Sequence, residues 1–291
     1  GPTILRHGSG EMKKKFLPPI ALGEVEYALG YTEPQAGSDL ASLEIRAEDK
    51  GDHFLLNGQK MFNTACHVAD YHWLAVRTDP DASKHRGISM MIVDLKSPGI
   101  TIHPLITVAG WRTNEVFYDD VKVPKDNLVG EINRGFYYLM AALDFERMFP
   151  MGGYRRLFDE LAGYAKETKV DGRPLGKNPL VRQKLAEIAI ELEATYLLYY
   201  QLAYMLDKSI VPNYQTSMEK LFGTEVAQHL TNAGMQVMGL YGQLQQDSKW
   251  APLRGKMEHH YRWSIIETIY AGTSEIQRNI IALRGLGLSR Q

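Results

Sequence analysis

The chain has 291 residues, 44% hydrophobic and 23% charged, with a formal net charge of −1. This is an ordinary composition for a protein with a substantial core and one to two domains, and it gives no electrostatic case for binding nucleic acid or a membrane surface. No apolar run reaches the length of a membrane span, and the one cysteine, Cys66, excludes an internal disulfide framework and a multi-cysteine metal site. No metal ligand set is expected from the nine histidines, and His259-His260 reads as part of a solvated helix.

Residues 1–24 contain the basic helical run Met12 to Leu17 and then Pro18-Pro19, and read as the tail of a longer helical domain. Residues 25–131 carry strand signals. Asn57-Gly58 between the apolar runs of His53 to Phe62 predicts a hairpin. Tyr71 to Arg77, Ile88 to Leu95, Ile100 to Pro104 and Val116 to Val123 follow as short β-branched or aromatic runs, with Pro- and Gly-containing turns between them. Strands at this spacing predict an antiparallel barrel or sandwich.

Residues 132–291 switch to a helical period. The first helix starts near Gly135 and runs towards Lys169. Asn178-Pro179 is a cap and first-turn pair opening a long helix, with Val181, Leu185, Ile188, Leu192, Tyr199, Leu202 and Leu206 on its core side. A third helix spans about Tyr214 to Met238. A fourth, after Thr273, carries Ile276, Ile280, Ile281 and Leu283. The expected fold class is α+β, an antiparallel β-barrel or sandwich followed by a C-terminal four-helix bundle.

Within the first helix, Leu139, Ala142, Leu143, Glu146, Pro150 and Gly153 recur at three- and four-residue steps. Glu146 is the one ionisable member. A carboxylate on a buried stripe loses hydration, its pKa rises, and it becomes suited to general-base work near neutral pH. Pro150 removes the partner of the Glu146 carbonyl and predicts a kink there. The alternative reading is a solvated glutamate on a partly apolar helix.

Two stretches go beyond fold class: Tyr31-Thr32-Glu33-Pro34-Gln35-Ala36-Gly37-Ser38-Asp39 with the later Gly58-Gln59-Lys60-Met61-Phe62-Asn63-Thr64, and Tyr270-Ala271-Gly272-Thr273-Ser274-Glu275-Ile276-Gln277-Arg278. In this order they resemble the acyl-CoA dehydrogenase family over essentially the whole chain. The resemblance implies FAD as cofactor, oxidation of an acyl-CoA thioester to enoyl-CoA, and an electron-transfer flavoprotein as acceptor. It also implies a homo- or heteromeric assembly, in the bacterial cytoplasm or, in a eukaryote, the mitochondrial matrix.

The resemblance puts Leu29, Tyr31, Thr32, Phe62 and Thr64 against the flavin, and Ser38 at the CoA arm. It adds Gln236, Gly239, Thr273 and Glu275 to the flavin contacts, and Asp144, Arg147, Tyr270 and Gly272 to those of the substrate. Much of the family places its base just before the Gly-Thr pair. Ala271 stands there in this chain, and Glu146-Arg147 matches members that carry the base on the first bundle helix. Where the family often has an arginine for a neighbouring subunit's flavin pyrophosphate, this chain has Thr168, with Lys169 and Arg173 nearby. Two readings follow: an FAD-dependent dehydrogenase with Glu146 as base, or a non-catalytic or half-site subunit of a heteromeric dehydrogenase.

Overall fold

The computed structural model describes the backbone of residues 1–146 and 151–289, and the side chains of 1–140 and 151–289. The chain divides into two units, Gly1–Leu143 and Asp144–Gln291, each with its own hydrophobic core.

In the first unit two helices, α1 (Pro2–His7) and α2 (Gly10–Leu22), precede a sheet. Ser9 caps α2, its hydroxyl accepting from the Met12 N–H at 3.1 Å. The strands are β1 (Tyr27–Gly30), β2 (Arg46–Asp49), β3 (His53–Lys60), β4 (Tyr71–Arg77), β5 (Ile88–Asp94), β6 (Ile100–Ile106), β7 (Arg112–Pro124) and β8 (Leu128–Val129). They pair in the order β6-β7-β3-β2-β4-β5-β8, with β1 also on β4. Both β1 and β2 run parallel to β4, and the other pairs are antiparallel. Every residue of β5 from Ile88 to Val93 is buried. That is why it reads as a continuous apolar run and not as an alternating one.

The expected hairpin at Asn57-Gly58 does not form. β3 passes straight through that dipeptide, and its register against β7 shifts between Leu56 and Gly58. Gly58 has φ 144°, and a Cβ there would meet the Ile45 Cα at 2.9 Å. The glycine thus serves a bulge and a close backbone approach. Asn57 exchanges two 2.9 Å hydrogen bonds with Asp120 of β7.

Helix α3 (Gly135–Glu146) begins in the first unit, where Tyr138 and Leu139 join the core. The second unit opens with α4 (Gly152–Glu167), whose buried residues Tyr154, Leu157, Leu161 and Ala165 recur at helical steps. Gly153, expected on the stripe of Glu146, is exposed in the first turn of α4. The expected kink at Pro150 falls outside the described residues. A two-residue turn joins β9 (Lys169–Val170) and β10 (Arg173–Pro174). Helix α5 (Pro179–Asp207) is capped by Asn178, whose side chain accepts from the Leu180 N–H at 2.9 Å. Next come α6 (Tyr214–Met238), α7 (Lys256–Glu267) and α8 (Ser274–Ile280), which continues into a π-helical turn, Ile281–Gly285.

Helix α6 is the hub of this unit and packs against α4, α5, α7 and α8. Helix α7 escapes the periodicity argument because three of its four buried residues, Glu258, Ser264 and Glu267, are polar; Met257 is the fourth. His259 on α7 is exposed as expected, whereas His260 turns inward against Tyr154. In α8 the buried residues are Ser274 and Gln277, while Ile276 and Ile280 are half-buried.

Candidate active site

In the first unit the strand β1 and the turn after it run beside the end of β3. The Met61 N–H donates to the Thr32 carbonyl at 2.9 Å, and Asn63 Nδ2 donates to the Leu29 carbonyl at 2.9 Å. Asn63 is itself fixed by Asn114, through N–H to carbonyl at 2.9 Å and Nδ2 to carbonyl at 2.7 Å. Thr64 Oγ1 donates to Thr113 Oγ1 at 3.3 Å. Leu29, Tyr31, Thr32, Phe62 and Thr64 therefore share one shelf. Leu29 and Phe62 are 42% and 58% exposed, which leaves an apolar face open to a ligand. Phe62 holds φ 59°, a left-handed conformation disfavoured for an aromatic residue by roughly 1–2 kcal/mol. Such outliers persist where surrounding structure fixes them.

What fixes this shelf is a buried ion pair that spacing does not reveal. Lys60 Nζ lies 2.9 Å from Glu33 Oε1 and donates to the Tyr31 carbonyl at 2.9 Å, and both side chains are buried. Glu33 also accepts from the Glu44 N–H at 2.6 Å, the Ile45 N–H at 3.0 Å and Gln35 Nε2 at 2.8 Å. Burial pulls Lys60 down to about 8, against the opposing effect of Glu33. Glu33-Pro34-Gln35-Ala36 forms a tight turn in which the Glu33 and Ala36 backbones pair, and the Glu33 carboxylate points inward from it. Ser38 is exposed beyond this turn, beside the ion pair of Asp39 with Lys84.

In the second unit Tyr270, Gly272, Thr273 and Glu275 share one turn and the start of α8. Thr273 caps α8, its hydroxyl accepting from the Ile276 N–H at 3.3 Å, and Glu275 is exposed in the first turn. Gln277 Nε2 donates to the carbonyls of Ala271 at 3.0 Å and Gly272 at 2.9 Å, and Lys220 Nζ donates to the latter at 2.8 Å. Behind the turn, Glu267 accepts from Tyr154 Oη and, at 2.9 Å, from Trp263 Nε1. Burial pushes its carboxyl up to about 7, against these two hydrogen bonds and the charge of Lys220.

Gln236 and Gly239 are exposed at the other end of α6. Sixteen residues separate Gln236 from Lys220, about 24 Å along a helix, so they do not join the Thr273 turn. Asp144 and Glu146 belong to α3, but their side chains, and Arg147 altogether, lie outside the described residues. Sequence reasoning missed Glu33, Lys60, Lys220, Glu267 and Gln277. Only Lys60 offered a signal, as a polar residue on the face of β3 that buries Phe54 and Leu56; Glu33 lies in a turn, and Lys220, Glu267 and Gln277 lie among other buried polar residues.

Comparison with protein families matches residues 28–121 to "Acyl-CoA dehydrogenase, middle domain" and residues 133–286 to "Acyl-CoA dehydrogenase, C-terminal domain". The chain belongs to the acyl-CoA dehydrogenase family. Acyl-CoA dehydrogenase FadE29 of Mycobacterium tuberculosis is 39% identical over 293 residues, covering 100% of this chain and 75% of the relative. The subunit CarC of the caffeyl-CoA reductase-Etf complex of Acetobacterium woodii is 34% identical, covering 97% and 74%. Among solved structures, the ChsE4-ChsE5 complex from Mycobacterium tuberculosis aligns with a TM-score of 0.93 at 39% identity, covering 100% of this chain and 76% of the other. This acyl-CoA dehydrogenase is an oxidoreductase with FAD as its cofactor. The shelf fits that group: Phe62 and Leu29 offer apolar faces, and Thr32 and Thr64 offer hydroxyls, as a neutral heteroaromatic ring with polar edges requires.

Proposed function

We propose that the protein removes hydrogen from the α and β carbons of an acyl-CoA thioester to give the enoyl-CoA, with Glu146 taking the α proton. The reading is carried by the gathering of Leu29, Tyr31, Thr32, Phe62 and Thr64 on one open shelf held by Asn63 and Lys60. FAD, when bound, supplies the acceptor for the β hydride. Thr32 and Thr64 orient the ring edge, and Phe62 and Leu29 keep water from one face. Glu146 holds the proton, because Ala271, at the family's other base position, has only a methyl group. Asp144, Arg147, Tyr270 and Gly272 bind the thioester end, Ser38 the CoA arm, and Thr273 and Glu275 the flavin from the helical side. An electron-transfer flavoprotein takes the electrons, and the enzyme works in the cytoplasm or a mitochondrial matrix. The Etf complex to which the relative CarC belongs supports that partner.

A second reading, a half-site subunit of a heteromeric dehydrogenase, is favoured by Thr168. This residue is committed to local structure: its N–H donates to the Tyr164 carbonyl at 2.9 Å, and its own carbonyl accepts from the Leu175 N–H at 2.8 Å. Gln236 and Gly239 then belong to the contacts with a neighbouring subunit. The two-chain complex among the relatives supports this assembly.

The deciding experiment is anaerobic bleaching of the FAD-loaded protein by straight-chain and ring-bearing acyl-CoAs. Glu146→Gln should keep full flavin content and bleach about 10²–10⁴-fold more slowly. Bleaching at the wild-type rate in this variant would remove Glu146 as the base. A fully loaded wild type that no acyl-CoA bleaches would favour the half-site reading.

A further inference from the structure

The turn at Ala271-Gly272 holds two successive residues in the left-handed region, with φ 52° and 90°. Alanine disfavours that conformation, so something must hold it. Lys220 and Gln277 do so with three hydrogen bonds on two carbonyls. Both side chains are buried, at 1% and 0% exposure. Burying an ammonium costs more than filling the same space with an apolar side chain. Packing alone does not account for Lys220.

The consequence lies on the other side of the peptide. In a trans peptide the carbonyl and the following N–H point in opposite directions. With the carbonyls of Ala271 and Gly272 drawn towards α6 and α8, the N–H groups of Gly272 and Thr273 face away from those donors. A charged donor on the Gly272 carbonyl also polarises its peptide, which makes the Thr273 N–H a stronger donor. Thr273, with Thr268, Ile269 and Ser274, lines an adjoining cavity of about 310 Å³.

We propose that Lys220 and Gln277 are positioning residues that aim and polarise the Gly272 and Thr273 N–H groups for an oxygen acceptor on a bound ligand. The inference rests on the acyl-CoA dehydrogenase reading above. Two ligands carry such an oxygen, the acyl thioester and the flavin side chain, and they are separated by which constant moves.

The test uses Lys220→Met and Gln277→Met, each keeping most of the unbranched side chain and removing the donor, and Gly272→Ala. A Cβ at Gly272 would meet Gln277 Nε2 at 2.6 Å, and φ 90° strains any side chain there, so this variant disturbs the turn and its Gln277 donor without altering either donor residue. FAD affinity is measured by titrating the apoprotein, and KM and kcat for acyl-CoA on the FAD-loaded protein, alongside Tm. The expected result is a weakening of at least about tenfold in FAD Kd or in acyl-CoA KM, the scale of one lost hydrogen bond to a charge-polarised group. A change in Kd assigns the flavin, and a change in KM at unchanged Kd assigns the thioester. If either methionine variant does not fold, Gly272→Ala must show the weakening by itself. Variants whose only change is a lower Tm, with Kd and KM as in the wild type, overturn the proposal. A wild type that binds FAD but oxidises no acyl-CoA removes the catalytic reading and leaves the Kd arm to decide, and one that binds neither overturns both.

Discussion

Two turns, one in each unit, rest on a buried lysine that donates to a backbone carbonyl. Lys60 holds Tyr31 in the first and Lys220 holds Gly272 in the second, at 2.9 and 2.8 Å. They differ in the donors that carry them. Lys60 faces Glu33, a member of the turn it supports, and that carboxylate is saturated by backbone and side-chain donors. The first turn and its strand are therefore locked together by full charges. The second turn takes one hydrogen bond from the Lys220 ammonium and two from the neutral Gln277 amide, and the nearby carboxyl of Glu267 is itself half-way to neutral. Full charges make a rigid platform that fails badly when one partner is lost. A turn shared between a charged and a neutral donor keeps part of its support, and so more of its fold stability, when one of them is deleted.

The sharpest way to break this contrast is Lys60→Met. It leaves Glu33 buried without its cation and should cost about 3–5 kcal/mol in urea unfolding of the intact protein. Lys60→Met combined with Glu33→Gln should cost less than the sum of the two single changes, since the uncompensated charge is gone. A loss no greater than that of Lys220→Met would show that the two turns are of one kind.

A smaller effect sharpens the contrast from the other side. The Glu267 carboxyl rises from its usual 4.5 to about 7 in the folded protein. Between these values the native state holds a proton that the unfolded chain has released, so stability falls as pH rises through this window. The total loss is about 3 kcal/mol, from about 1.4 kcal/mol for each pKa unit. Glu267→Gln should flatten that part of the pH–stability curve and leave the variant more stable than wild type above pH 7. A wild-type curve that is flat or rising over the window would refute the assignment. The smallest effect is Thr273→Ala, which removes the cap of α8 and should lower stability by about 1 kcal/mol by the same unfolding measurement.

Legibility followed the kind of force involved. β4 is found at Tyr71–Arg77 and α6 at Tyr214–Met238, as periodicity predicts, because apolar burial repeats along an element. Tyr31, Thr32, Phe62 and Thr64 were legible as motif members, and the structure brings them onto one shelf with Leu29. Asn57-Gly58 misled, since the same glycine that permits a hairpin turn also permits a bulge, and only the approach of Ile45 decides between them. Glu33 with Lys60, and Lys220 with Gln277, were not legible. Lys60 reaches Glu33 across 27 positions and Lys220 reaches Gly272 across 52, while Gln277 folds back on Ala271 and Gly272 within its own turn, and none of these hydrogen bonds leaves a periodic trace.

The hydrogen bond from Trp263 Nε1 to Glu267 has a further use. The emission of an indole depends on charge near its pyrrole edge, and here the charge is that of a carboxyl which changes state near neutral pH. As the carboxylate forms, it stabilises the excited-state dipole, and the fluorescence of Trp263 shifts to longer wavelength. Trp263 thus serves as an optical indicator for the proton on Glu267, readable without a label as a pH-dependent shift on top of the emission of the other three tryptophans.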